Sequence, residues 1–154
     1  MNINFLKSKE KKKILDELNE RFGITELPGL LLETGKQKIR GFSGTMTREE
    51  ITEIGAKINI EIVGLYLIKR ERDYLRLSMD ATQVLAKGIK KNIIELNDED
   101  FSKWIRTNDL PIKKDKGVYA IKHGNDFIGC AYSNGEKLFN FVPKERSVRS
   151  SSER

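Results

Sequence analysis

Apolar residues recur along this chain in two rhythms. Between residues 8 and 22, Ile14, Leu15, Leu18 and Phe22 fall at steps of three and four, one face of an amphipathic helix. Ser8 stands where a cap belongs, and Gly23 where such a helix ends. Pro28-Gly29 breaks the chain, and residues 30–33 and 38–42 read as short strands around a turn at Glu33-Thr34-Gly35-Lys36. After Ser43-Gly44, Thr47 and Glu50 have the spacing of a capping box and open a helix over residues 47–56. Residues 60–67 are strongly apolar and β-branched, which predicts the central strand of a sheet. Residues 69–73 read as a polar turn and 74–77 as a returning strand. This order predicts an α+β unit over residues 1–77.

Beyond it, Ser78 or Asp80 can cap a short helix over 81–85, and residues 93–96 form a strand. Asn97 or Asp98 then caps a helix through residue 107, with Phe101, Trp104 and Ile105 on its apolar face. A loop over 108–116 leads into three apolar runs, 118–121, 127–131 and 138–142. The clusters His123-Gly124-Asn125-Asp126 and Ser133-Asn134-Gly135-Glu136 separate them, so these runs read as hairpin-linked strands. That pattern predicts a small antiparallel sheet curled into a barrel over residues 78–148. The Ser-rich, apolar-poor residues 149–154 read as a disordered tail.

Charge adds a candidate partner. The chain has 154 residues, 34% of them charged, with a formal net charge of +6. A positive balance favours a polyanion through attraction and counterion release. Lys11, Lys12 and Lys13 lie early in the first helix, where positive charge opposes the helix dipole, so either solubility or a phosphate contact accounts for them. No apolar run reaches the ~20 residues needed to span a bilayer. With one cysteine, Cys130, the chain suits a reducing, cytoplasmic setting.

Catalytic patterns are sparse. His123 and Cys130 are the sole His and Cys, and a nucleophile–base pair would need both, yet no third group is evident to orient them. Cys130 sits in FIGCAY, where a small buried apolar residue is the commoner role. Phosphate-binding, dinucleotide and metal-ligand motifs are missing, so neither cofactor nor metal is expected.

Gly117-Val118-Tyr119, Phe127-Ile128-Gly129, Gly135, Leu138, Asn140 and the run Val142-Pro143-Lys144-Glu145-Arg146 together form a more specific pattern. It resembles the PUA-like domain at the C-terminus of Nop/Sun-type RNA cytosine-5 methyltransferases and in small stand-alone archaeal proteins linked to them. The resemblance covers residues 90–148, and DEDFSKWIRTNDLP upstream looks like the helix that packs on a PUA barrel. Residues 1–77 loosely resemble the α+β domain that precedes PUA domains in some ribosome-biogenesis factors. The fold class expected is α+β, a small N-terminal α/β sandwich followed by a C-terminal PUA-like β-pseudobarrel. One departure concerns a second glycine often found soon after FIG, where this chain has Cys130-Ala131.

The resemblance implies RNA binding, with ribosomal or transfer RNA the class, and without methyl transfer by this chain. An RNA methyltransferase or a ribosome-assembly factor is the protein partner it suggests. A module that docks onto such an enzyme without touching RNA is the alternative. Lys103, Arg106, Lys113, Lys114, Lys116, Lys122, Lys144, Arg146 and Arg149 are the candidate RNA contacts, expected to converge around the helix bearing Lys103. Tyr132 is the candidate for base stacking, with packing at the barrel rim as its other role.

Overall fold

The computed structural model describes residues 3–35, 37–60 and 63–148. Arg149, the tail over 149–154, Lys36 of the first turn and residues 61–62 of the expected central strand lie outside them. Two sheets are present. The first has five strands in the order β1 (Asn4–Phe5), β2 (Leu30–Thr34), β3 (Lys38–Phe42), β4 (Leu65–Arg70) and β5 (Leu75–Leu77), all antiparallel. The second has four, β6 (Ile93–Glu95), β7 (Gly117–His123), β8 (Asp126–Ser133) and β9 (Leu138–Asn140). Strands β7, β8 and β9 are the antiparallel hairpin series that the turn clusters predict, while β6 joins β7 in parallel. A bridge from Leu110 to Leu138 extends the β9 edge.

The helices are α1 (Ser8–Phe22), α2 (Arg48–Lys57), α3 (Met79–Val84) and α4 (Asp98–Trp104). Helix α1 buries Ile14, Leu18 and Phe22 and stops at Gly23, whose left-handed φ of 80° lets its N–H bond the Asn19 carbonyl. Its cap position is Lys7, without a side-chain bond, so Ser8 is the first helical residue and not the cap. Thr47 and Glu50 do form the reciprocal capping box of α2. Ser78 caps α3 and Asn97 caps α4, each accepting a backbone N–H three residues on.

Strand β4 departs from expectation. Gly64 (φ 76°) turns the chain just before Leu65, and the strand then runs through Lys69 and Arg70 into a turn closed by Glu71 N–H on the Tyr74 carbonyl (2.9 Å). Polarity does not end a strand whose outward positions face solvent. The centre of the sheet is β3, not this strand. Helix α4 also ends early, at Trp104, followed by a turn in which Thr107 has φ 70°.

Packing unites the two sheets. One cluster joins Ile14, Leu18 and Phe22 of α1 and Ile39, Ile68 and Leu77 of the first sheet to Ala81 of α3 and Val118, Ala120, Phe127 and Cys130 of β7–β8. Arg21 adds a polar tie. Its Nε donates to the Val118 carbonyl (2.6 Å), and its guanidinium lies 4.6 Å over the Tyr119 ring. The opposite face of β7–β8 carries Tyr119, Ile121 and Ala131 and packs with Leu138 on Trp104 of α4.

A bulge at Gly129 sets these faces. Ala120 pairs with Cys130 but Lys122 with Phe127, so three steps on β8 match two on β7. Gly129 adopts φ 102°, and its N–H turns to donate to Thr82 Oγ1 of α3 (3.0 Å). Phe127 and Cys130 thereby face one core, Ile128 and Ala131 the other. The side chains of Cys130 and Ala131, where a second glycine was looked for, are buried, one in each core.

Candidate nucleic-acid interface

The expected RNA contacts do not form one patch. Lys122 is the penultimate residue of β7 and Lys116 immediately precedes that strand, so roughly 20 Å of extended chain separates them. Lys122 leans on Phe127, its Nζ 5.4 Å from the ring centre. Lys113 pairs with Glu136 in the β8–β9 turn (3.7 Å), and the Lys114 carbonyl accepts the Ser133 hydroxyl (2.7 Å). Lys113, Lys114 and Lys116 therefore mark the turn end of the sheet, and Lys122 the other end.

A second group does gather at the end of α4. Lys103 reaches Glu99 (3.4 Å) and Arg106 is exposed in the following turn. After β9 the chain makes a single 3-10 turn, Lys144–Arg146, and then returns, with Val148 N–H donating to the Ile105 carbonyl (2.9 Å). That bond places Lys144 and Arg146 within a few residues' reach of Lys103 and Arg106. Asn140 holds the same corner. Its Nδ2 donates to the carbonyls of Trp104 (2.8 Å) and Asn108 (2.9 Å), and its Oδ1 accepts Val142 N–H (2.7 Å). Strand β9 ends here, with the Asn140 N–H donated to Asp109 Oδ1 (2.9 Å), the Val142 N–H donated to Asn140 and no N–H on Pro143. Asn140, in the most specific part of the sequence pattern, thus ties the end of α4 and the loop after it to β9.

Tyr132, half-buried, packs among aromatic rings. Its ring stacks on Tyr74 with centroids 4.7 Å apart and planes 12° apart, and Phe139 lies tilted at 6.4 Å.

Arg146 opens onto something that sequence reading did not find. It pairs with Asp80 of α3 (2.6 Å) at the mouth of a cleft of about 650 Å³ between the two sheets. Lys38, Lys69, Arg76 and Arg146 supply the cleft's positive charge, Asp80 and Glu145 its negative charge, and Tyr66 and Phe141 its aromatic walls. The strand register explains the cations. Lys38 of β3 stands opposite Lys69 of β4, which stands opposite Arg76 of β5, a row of three across adjacent strands. The Arg76 guanidinium lies 4.0 Å over the Phe141 ring. Its Nε is 3.1 Å from Glu71 Oε1, yet that buried nitrogen has no hydrogen-bond partner. Lys38 Nζ sits 5.1 Å over Tyr66, whose hydroxyl burial pushes above its ordinary range, so it stays a donor at neutral pH. A signal for this row was present, since Lys38 and Arg76 alternate with the buried Ile39, Leu75 and Leu77. Which strands lie side by side was not.

The nucleophile–base pair is excluded by placement. His123 stacks on Phe101 of α4 (3.9 Å, 3°) and its Nε2 lies 2.8 Å from Asp98 Oδ1, on the α4 side of the sheet. Cys130 faces the other core, where burial pushes its thiol up to about 12. A thiol so held is not a nucleophile near neutral pH. Among the described residues, no group of three or more His, Cys, Asp or Glu could hold a metal ion, and no helix is long and apolar enough to cross a membrane.

No curated protein matches this chain. Residues 91–147, from the start of β6 to the 3-10 turn after β9, match the family model described as the Methyltransferase RsmF PUA domain, and in this stretch the chain is similar to the PUA domains linked to Nop/Sun-type methyltransferases.

Proposed function

We propose that this protein is a non-catalytic RNA-binding adaptor, with ribosomal or transfer RNA as its target class and RNA modification or ribosome assembly as its setting. The match of residues 91–147 to a PUA domain carries the reading, because PUA domains are RNA-binding modules that perform no bond chemistry themselves. The corner formed by Lys103, Arg106, Lys144 and Arg146 supports it. Lysines there supply phosphate attraction, and arginine adds a planar fork that can bind phosphate or stack on a splayed base.

The test is RNA affinity against salt, measured on a short labelled single-stranded RNA and on folded ribosomal and transfer RNA. The wild-type chain should bind and weaken steeply as salt rises. The variant with Lys103, Arg106, Lys144 and Arg146 all changed to Gln should bind more weakly. On a single strand its slope should be flatter by roughly 0.7 for each phosphate that the variant no longer neutralises. Absence of binding by the wild-type chain to every RNA tested defeats the proposal. Crosslinking in cells, followed by sequencing of the bound RNA, then names the target.

A further inference from the structure

We infer that the cleft between the two sheets is a phosphate-binding part of the RNA site, with three of its four cations supplied from outside the PUA match. Resting on the RNA-binding reading above, the inference names residues and a ligand group which that reading does not supply. The ligand is the phosphodiester backbone of a single strand, and the cations are Lys38, Lys69 and Arg76, closed by Arg146 from the PUA-like half.

Three observations carry it. First, Lys38, Lys69 and Arg76 stand directly opposite one another on β3, β4 and β5. Neighbouring strands are about 4.8 Å apart, so the row places three positive charges across a span of about 10 Å. Like charges in direct cross-strand register repel, a cost that Glu71, 3.1 Å from Arg76 Nε, offsets at one end of the row. A polyanion laid across the strands would remove the repulsion. Second, Arg76 is already positioned. Phe141 holds its guanidinium from one side at 4.0 Å, and Glu71 Oε1 lies 3.1 Å from its Nε. A guanidinium so held loses less freedom when it takes a bidentate oxygen ligand. Third, the cleft has the size of a ligand site, about 650 Å³, with aromatic walls beside the charges. Tyr66 contributes a protonated hydroxyl as a further donor.

Arg146 joins the two parts of the surface. It belongs to the basic corner at the end of α4 and also lines the cleft, where Asp80 holds it in the free protein. A strand bound along the corner would pass Arg146 and enter the cleft, exchanging the Asp80 carboxylate for a phosphate oxygen.

The experiment compares two double variants of the full chain that remove equal charge, Lys38→Gln with Arg76→Gln, and Lys12→Gln with Lys13→Gln. The second pair lies on α1, none of whose residues line the cleft. Each is titrated with a short labelled single-stranded RNA over a range of salt. The cleft pair should weaken binding at least tenfold and flatten the salt slope by roughly 1.4, two phosphates at about 0.7 each. The α1 pair should leave both nearly unchanged. Because Arg76 is half-buried, Lys38→Gln with Lys69→Gln repeats the test on residues whose removal spares the Phe141 stacking, and thermal melting verifies each fold. Cleft variants that bind no worse than the α1 pair overturn the inference while leaving RNA binding by the corner intact. A wild-type chain that binds no RNA overturns both. Inorganic phosphate at matched ionic strength should not displace the RNA, and displacement would show a free-anion site instead of a strand-binding one.

Discussion

The two faces of the β7–β8 hairpin serve different neighbours. On one, Tyr119, Ile121 and Ala131 close a local core with Trp104 of α4, entirely inside the PUA-like stretch. On the other, Val118, Ala120, Phe127 and Cys130 complete a core whose remaining members come mainly from α1, the first sheet and α3. The first face makes the region recognisable, since its helix, strands and Asn140 tie lie in the matched stretch. The second makes it part of a larger body and creates the cleft at the seam. The difference teaches that a matched segment need not be a segment that stands alone.

The largest expected effect breaks the comparison outright. A chain reduced to residues 78–148 leaves Val118, Ala120, Phe127 and Cys130 without their partners on α1 and the first sheet. It should show no cooperative melting transition and should bind dyes that report exposed apolar surface. A folded, monomeric fragment would show that the two faces are independent.

Next comes the local core. Trp104 is fully buried, and Trp104→Ala should cost about 3–5 kcal/mol by denaturant titration. Its indole N–H has no hydrogen-bond partner, so Trp104→Phe gives up no bond and should retain most of the stability. Near-equal losses for the two variants would mean that the indole nitrogen has a role this packing does not show.

A smaller effect isolates the corner between α4 and β9. Asn140→Ala removes two donated bonds and one accepted bond and should cost about 1–3 kcal/mol. Hydrogen exchange at the end of α4 should rise, with less change at the seam between the sheets. Uniform acceleration through both cores would show that the faces melt as one unit.

The effect smallest near neutral pH is a pH dependence that shows only in alkali, on the seam face. Burial raises the Cys130 thiol from its ordinary 9.0 to about 12. The folded state therefore holds a proton that the unfolded chain releases, and the stability this contributes is full below pH 9 and is lost as pH climbs toward 12. Tyr66 and Tyr74, raised mainly by burial, act in the same direction above pH 10. Melting temperature should fall over this range, and Cys130→Ala should reduce the fall. A Cys130→Ala profile parallel to wild type would remove the thiol from the account.

Local chemistry was legible in the residues. The steps of Ile14, Leu18 and Phe22 forecast α1, Thr47 and Glu50 their capping box, and Gly124-Asn125 and Asn134-Gly135 the two hairpin turns. Each depends on neighbours within a few residues, or on a period that one face of an element imposes. The specific run ending in Val142-Pro143-Lys144-Glu145-Arg146 pointed to the same stretch that the PUA match covers.

What tertiary structure decided depends on partners far apart in the chain. The parallel entry of β6, the central place of β3 and the extension of β4 through Lys69 and Arg70 follow from which edges meet. The row of Lys38, Lys69 and Arg76 exists only in that register, since a one-residue slip would turn a cation to the other face. Sequence alone set the number of positive charges and the elements that bear them. Folding chose which charges share a surface, because side-chain period is a local property and strand neighbourhood is not.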